Sequence, residues 1–188
     1  MIGQSYSRRT LIAGLSACLV PALTPGVAFA DIRVPWFAQK SASDCGRAVL
    51  ASLAARRGGK PETYYNRLPA PTDPRGYSIA DMRRFGARVG VGLSTTAPGG
   101  VVIAGNCGMT PAVTRHMARL AGAVRGGRPV VVPVGGFGFG TGHYLILIGA
   151  DASGFSALDP ASPGTHRYGT DQLANSMCSY GYLALIAS

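Results

Sequence analysis

The sequence predicts an α+β fold in which a helical half packs against a largely antiparallel sheet. Helix-forming segments occupy the stretch up to Gly127, and short β-branched or aromatic runs follow it. The 188 residues are 47% hydrophobic, which is enough for one core of ordinary size. Helices followed by a sheet indicate one layered domain, and a cleft between its two halves is the natural place for a functional site.

The first predicted helix begins near Cys45. The segment "SDCGRAVLASLAARRGG" carries apolar or small side chains at helical spacing, among them Ala48, Val49 and Leu53, and it ends at a glycine pair. Residues 60–77 are predicted to be a loop-rich connection with at most one helical turn. Cys45 is therefore expected at the amino end of a helix.

Two more helices have clear start signals. Ser78 can cap the second helix, with Asp81 three residues on and a glycine stop at Gly90. Thr110 can cap the third, because Pro111 follows it at the first helical position. An apolar stripe along the third helix is formed by Val113, Met117, Leu120 and Val124.

Four segments after Gly127 are predicted to be strands of the sheet. They are β-branched or aromatic, and glycine-rich or proline-rich turns separate them. These segments are "PVVVPV", "HYLILIGA", "GFSAL" and "YGYLALIAS", with "TDQLANSM" as one more helical turn before the last of them.

The first thirty residues are predicted to be an export signal of the twin-arginine type. The pair Arg8-Arg9 precedes an apolar run that ends in Ala28-Phe29-Ala30, so the mature chain, 31–188, is expected to begin at Asp31. A general secretory signal is the alternative. Because "LSAC" resembles a lipobox, lipidation at Cys18 with attachment to a membrane is an alternative to simple cleavage. We expect a periplasmic or secreted protein.

Charge does not indicate a nucleic-acid-binding protein. Loss of residues 1–30 lowers the formal net charge from +10 to +8, because it removes two arginines and no acidic residue. The arginines are scattered, and aromatic side chains do not alternate with them as on a base-stacking surface. We interpret the charge as a solvated surface and expect no nucleic-acid partner.

Cys45 is the candidate nucleophile. A thiol attacks as the thiolate, and the unpaired N–H groups and positive dipole at a helix N-terminus favour that form when a histidine lies beside it. Gly46 would let a substrate approach without a Cβ in the way. The alternative is a small buried cysteine with a purely structural role at the helix start.

Histidine, the usual base for such a thiol, occurs three times in the chain. His143 opens a predicted strand behind the loop "GGFGFGTG", which would let the ring be reached and a lid move. His116 lies mid-helix beside arginines and is expected at the surface. His166 is expected in a loop without an obvious partner, which leaves His143 as the candidate general base.

Two further side chains complete the candidate catalytic set. Asp159 follows His143 by sixteen residues, and a hairpin of adjacent strands would bring its carboxylate beside the ring and fix the tautomer. Its alternative role is to start a turn before Pro160. Gln39, six residues ahead of Cys45, could donate its amide N–H to an oxyanion hole together with a backbone N–H at the helix start.

These motifs resemble a known family of cysteine peptidases. Gln39, "DCG" at 44–46, "GYSIADMRRFGARVGVGL" at 76–93, "RPVVVPV", "GHYLILIGA" and "ALDPA" occur in this order. The order is similar to that of the bacteriocin-processing, or double-glycine, peptidases, which are family thirty-nine of the cysteine peptidases in the papain-like group. The resemblance covers residues 32–187.

The resemblance implies a papain-like fold and hydrolysis of peptide bonds without a cofactor. Carried onto this sequence, it makes Cys45 the nucleophile and His143 the general base. Asp159 would orient the histidine, and Gln39 would lie in the oxyanion hole. For many members of the family it also implies cleavage after a Gly-Gly pair in a leader peptide.

The sequence departs from the family pattern in two respects. Many members are the front end of an ABC transporter, whereas this sequence contains neither transporter segments nor an ATP-binding motif. We therefore expect a stand-alone peptidase and leave its preference for Gly-Gly open. A second cysteine-glycine pair, at Cys107, has Val101 where the glutamine would stand, so we interpret Cys107 as structural and expect it to pair with Cys178. The sequence has no C-x-x-C spacing of the kind that would indicate a zinc site.

The leading hypothesis is an exported cysteine peptidase that acts on a peptide or protein substrate. One alternative keeps the same residues but uses them on another kind of amide or for acyl transfer. The other alternative is a catalytically silent peptidase-like domain that binds glycine-rich peptides or an envelope protein. Loss of a catalytic residue would favour that last interpretation.

Overall fold

The computed structural model describes residues 31–98, 107–135 and 142–188. The predicted export signal, Cys18 and the centre of the predicted lid loop, 136–141, lie outside the described residues. The helices are α1 Cys45–Ala55, α2 Pro61–Arg67, α3 Ile79–Arg88, α4 Pro111–Arg125 and α5 Thr170–Met177, followed by a 3₁₀ turn, Cys178–Tyr180. The strands are β1 Leu93–Thr96, β2 Val130–Val134, β3 His143–Asp151, β4 Gly154–Asp159, β5 Ser162–Tyr168 and β6 Ala184–Ala187.

The six described strands form one sheet in the order β1-β6-β2-β3-β4-β5. Every strand pairing in it is antiparallel, which confirms the predicted sheet. The sequence predicted four of the strands and missed β1 and β5. Both lie at the edges of the sheet, and β5 is mostly exposed, so neither has a continuous apolar run.

Helices cover both faces of the sheet. Side chains of α1 and α3 pack with Val131 and Ile146 on one face, whereas side chains of α4 and α5 pack with Val130 and Leu145 on the other. Successive residues of β2 and β3 thus point into different cores. Burial on both faces explains why these strands are almost continuously apolar. The fold is the predicted α+β class, but α4 lies across the sheet from the other two predicted helices.

The predicted capping signals occur where expected. Ser78 and Asp81 form a capping box at the start of α3, and Thr110 caps α4 through the Val113 N–H. The prediction for residues 60–77 was wrong, because α2 is seven residues long. Its weak sequence signal is compensated by packing, since Tyr65 is buried against Phe37 and against Arg47 of α1.

The described helices do not include a candidate membrane span. None of them combines the length and the apolar character that a span requires.

Candidate active site

Cys45 is the first residue of α1. Its side chain is a free thiol and is 2% exposed. The first intrahelical hydrogen bond runs from the Ala48 N–H to the Asp44 carbonyl, so the amides at positions 45 to 47 precede the helical ladder. The thiol thus lies at the positive end of a helix, as the sequence predicted.

His143 and Asp159 meet across the β3–β4 hairpin. His143 is the first residue of β3, Asp159 is the last of β4, and the two strands pair antiparallel from Ile146 opposite Leu158. His143 Nε2 lies 2.6 Å from Asp159 Oδ1, and both side chains are buried. The same carboxylate oxygen also accepts a hydrogen bond from the Ala161 N–H at 2.7 Å.

The surroundings favour an ionised pair. Burial opposes a charged ring, but hydrogen bonds to Asp159 and Cys45, together with the negative charge on those groups, outweigh it and raise the pKa of His143 to about 9. Burial likewise opposes the Asp159 carboxylate, yet the hydrogen bonds from His143 and Ala161 hold its pKa below the ordinary value. Since Nε2 donates to the carboxylate, Nδ1 is the ring nitrogen available to Cys45.

A cleft of about 350 Å³ opens beside the thiol and the imidazole. Its walls come from both halves of the molecule. The segment before α3 supplies one side, and the sheet with the 3₁₀ turn supplies the other. The lining residues include Cys45, Tyr77, Ile79, His143, Tyr144 and Tyr180.

Two glycines at the site are closely packed. A Cβ at Gly142, where φ is +95°, would overlap the Tyr180 hydroxyl. A Cβ at Gly46 would lie 2.9 Å from Met82 Sδ and 3.0 Å from Tyr77 Cβ. Both glycines stand directly beside a candidate catalytic residue, so close packing fixes the backbone next to the thiol and next to the imidazole.

Gln39 belongs to the N-terminal strap, residues 31–39, which crosses to the His143–Asp159 pair. Trp36 Nε1 donates to the Asp159 carbonyl at 2.7 Å, and the Gln39 N–H donates to the Pro160 carbonyl at 2.9 Å. The Gln39 side-chain amide donates to the Ser41 carbonyl at 3.1 Å, while its Oε1 is buried without a partner in the structure. Its oxyanion role stays a prediction, because the amide nitrogen is engaged by Ser41.

The other described cysteines and histidines do not line the cleft. Cys107 and Cys178 form a disulfide bond. The predicted surface position of His116 was wrong, because the ring is 2% exposed and neither nitrogen makes a regular hydrogen bond. Burial lowers the pKa of His116, which the nearby Tyr182 carbonyl only partly offsets. His166 is on β5 rather than in a loop, and its Nε2 lies 3.3 Å from the Ser162 carbonyl.

Sequence reasoning missed the aromatic residues around the site. Trp36, Tyr65 and Tyr180 had no motif to single them out, and only Trp36 carried a usable signal as the sole tryptophan. Within the described ranges, no group of three or more His, Cys, Asp and Glu side chains is arranged to hold a metal ion.

Comparisons with known proteins identify the fold. The sequence matches no family model and no curated protein. Among solved structures it is similar to a C39-like peptidase from Bacillus anthracis, with a TM-score of 0.58 and 13% identity over 88% of this chain and 98% of that chain. It is also similar to the peptidase domain of Streptococcus ComA, a bi-functional ABC transporter, with a TM-score of 0.56 and 17% identity over 83% and 98% of the two chains.

A third solved structure is a double glycine motif protease from an AMS/PCAT transporter in complex with its leader peptide. Its TM-score is 0.57, at 16% identity over 86% of this chain and 96% of that chain. At such identities the similarity establishes the fold and leaves the activity to be argued from the site. The chain therefore has the papain-like fold of the C39-like and double-glycine peptidases, which confirms the resemblance drawn from its sequence.

Proposed function

We propose that this chain is a cysteine peptidase in which Cys45, His143 and Asp159 form the catalytic triad. One observation carries the proposal: a buried histidine that is hydrogen-bonded to both a carboxylate and a thiol at a helix N-terminus. The raised pKa of His143 favours the imidazolium, and an imidazolium stabilises a neighbouring thiolate. The fold of the solved neighbours supports the same conclusion.

The first half of the reaction forms an acyl-enzyme. The Cys45 thiolate attacks the carbonyl carbon of the scissile bond, and the C=O electron pair moves to the oxygen. As the tetrahedral intermediate collapses, the His143 imidazolium gives its proton to the leaving nitrogen, and the C–N bond breaks. The products of this half are a thioester on Cys45, a free amine and a neutral imidazole.

The second half releases the acid. Neutral His143 takes a proton from water, and the hydroxide equivalent attacks the thioester carbonyl. The C–S bond then breaks, which returns the thiolate and the imidazolium. Asp159 holds Nε2 throughout and keeps the other ring nitrogen directed at sulfur and water.

We assign the binding site for the oxyanion of the tetrahedral intermediate to the amino end of α1. A backbone N–H there and the Gln39 amide would donate to it, once the amide leaves the Ser41 carbonyl. Gln39→Ala keeps the backbone bond to Pro160, so it tests the side chain alone. We expect it to lower kcat by about 10² to 10³ without slowing alkylation of Cys45.

We propose that the substrate is a peptide or protein with glycine next to the cut, and Gly-Gly is the sequence to test first. Tyr77, Tyr144 and Tyr180 crowd the cleft beside the catalytic residues, which favours side chains without bulk. The solved neighbour that is a double glycine motif protease was captured with its leader peptide.

We also propose that the enzyme works after export, in the periplasm or outside the cell. The twin-arginine-like segment at 1–30 supports this location. The Cys107–Cys178 disulfide agrees with it, because disulfides persist in oxidising compartments.

The test is brief alkylation of the mature protein with iodoacetamide at pH 6, followed by mapping of the labelled cysteine and turnover of Gly-Gly peptides. We expect Cys45 to be labelled rapidly, and His143→Ala to remove both labelling and turnover. Cys45→Ala should abolish turnover without unfolding the chain. A Cys45 thiol no more reactive than free cysteine would contradict the proposal.

A further inference from the structure

The triad leaves one buried acidic side chain without a role. Asp44 directly precedes Cys45, and its side chain is 6% exposed. It is the N-cap residue of α1, where an aspartate ordinarily accepts hydrogen bonds from the first amides of the helix. Here its φ of −90° and ψ of 1° are not the extended values of a capping residue, and α1 receives no side-chain cap from any described residue.

The Asp44 carboxylate contacts two side chains and makes no capping hydrogen bond to the amides of α1. Its Oδ2 accepts a hydrogen bond from the Tyr65 hydroxyl at 2.5 Å, and Arg47 Nη1 lies 3.9 Å from its Oδ1. Tyr65 is on α2, so the restraint comes from another helix. The carboxylate therefore has two partners that compete with the amides of α1 for it.

Tyr65 is itself held firmly in place. Arg47 stacks its guanidinium 3.8 Å from the ring centre and donates from Nε to the Tyr65 carbonyl at 3.2 Å. The Phe37 ring packs at 5.1 Å, and Lys40 Nζ lies 4.8 Å above the Tyr65 ring. Burial, and then the bond to Asp44, raise the pKa of Tyr65 to about 12, so its hydroxyl remains a donor at neutral pH.

We propose that Tyr65 is a positioning residue that holds the Asp44 carboxylate away from the amino end of α1. The first amides and the helix dipole then remain available to the Cys45 thiolate and to the oxyanion. A carboxylate that capped the helix would occupy those amides and add a like charge beside the thiolate. This inference rests on the proposed function, because it assumes that Cys45 reacts as a thiolate.

The experiment compares the rate of Cys45 alkylation from pH 5 to 9 in wild type and Tyr65→Phe. Phenylalanine keeps the ring that packs on Phe37 and Arg47 but cannot donate to Asp44. We expect the midpoint of the pH profile to rise by about one pH unit, which slows the reaction about tenfold at pH values well below both midpoints. Far-UV circular dichroism and a thermal melt report whether each variant is folded.

A matched control and a rescue separate this role from simple packing. Tyr64→Phe removes a hydroxyl from the same helix, one residue away, whose partner is the Gly58 carbonyl, and it should leave the profile unchanged. Asp44→Ala combined with Tyr65→Phe removes both partners of the bond. Because no carboxylate then remains to cap α1, the rate of Cys45 alkylation in this double variant should return to within about twofold of the wild-type rate.

The outcomes distinguish the two proposals. A reactive wild-type thiol with the same profile in Tyr65→Phe overturns the inference and leaves the proposed function standing. A slow single variant that the double variant does not rescue also overturns it, since the loss would then come from packing. A wild-type thiol without enhanced reactivity overturns both.

Discussion

Replacing Asp159 by asparagine isolates the charge on the third member of the proposed triad. Asparagine keeps an oxygen acceptor for His143 Nε2 but carries no negative charge. The contact is 2.6 Å long between two buried side chains, so solvent screens it little. The rise in the pKa of His143 from its ordinary 6.5 to about 9 corresponds to about 3 kcal/mol, at about 1.4 kcal/mol per pH unit.

We expect Asp159→Asn to lower the titration midpoint of His143 by about 1 to 3 pH units, the usual effect of losing an opposite charge at this distance. Burial, which opposes the charged ring, would then be balanced by Cys45 and a neutral acceptor, without the negative charge of Asp159. The alkaline limit of turnover should fall with the midpoint, because in the proposed mechanism the imidazolium protonates the leaving amine. In wild type the stabilising contribution of charged His143 is complete below pH 6.5 and is lost as the pH rises through about 9.

Nuclear magnetic resonance of the imidazole C–H groups measures the titration midpoint of His143 directly. The chain has three histidines, so few imidazole signals have to be assigned. The control is Asp151→Asn, because Asp151 is exposed on the far end of β3 and pairs with Arg167. A His143 midpoint that stays near 9 in Asp159→Asn would refute the reasoning. It would mean that the carboxylate does not hold the proton on the ring.

Three further changes test other parts of the structure. Replacing Cys107 and Cys178 by serine should lower the free energy of unfolding by about 4 kcal/mol, because the disulfide closes a loop with a sequence separation of 71. Cys45 alkylation should be unaffected. Denaturant titration measures the change in stability, and an unchanged free energy of unfolding would contradict the prediction. Gly142→Ala should reduce turnover about a hundredfold by displacing the backbone beside the imidazole, whereas Gly164→Ala, at a similar φ with open space around it, should not. His116→Leu should raise the free energy of unfolding by about 1–3 kcal/mol. The gain should be larger at pH 5 than at pH 8, because burial lowers the pKa of His116 and protonation then favours the unfolded chain.

The parts of the fold that were predictable have local causes. The start of α3 follows from Ser78 and Asp81, and the start of α4 follows from Thr110 and Pro111, because capping chemistry acts within four residues. The meeting of His143 and Asp159 was predictable too. Two apolar runs joined by a short turn pair as a hairpin, so the start of one lies near the end of the other.

The parts that were not predictable depend on contacts between distant segments. The arginines beside His116 suggested a surface position, but the residue is buried together with Val113 and Met117 of α4. Helix α2 has little apolar periodicity, and its burial comes from a single tyrosine. The contacts of Asp44 were not predictable either, since an aspartate before a helix predicts a cap. Its carboxylate instead accepts a hydrogen bond from Tyr65 of the neighbouring helix α2.

The N-terminal strap gives the Gln39-to-Cys45 spacing a structural reason as well as a chemical one. The proposed nucleophile belongs to a helix and the other two residues of the proposed triad belong to the sheet, so their alignment depends on what joins the two halves. The strap bonds to the sheet through the Ile32 N–H and the Ile148 carbonyl, and then through Trp36 and Gln39 at the Asp159–Pro160 turn. Six residues later the chain has entered α1. Because the Gln39 bond to Pro160 is made by the backbone, the packing requires a fixed number of residues between the turn and the thiol whatever side chain stands at position 39.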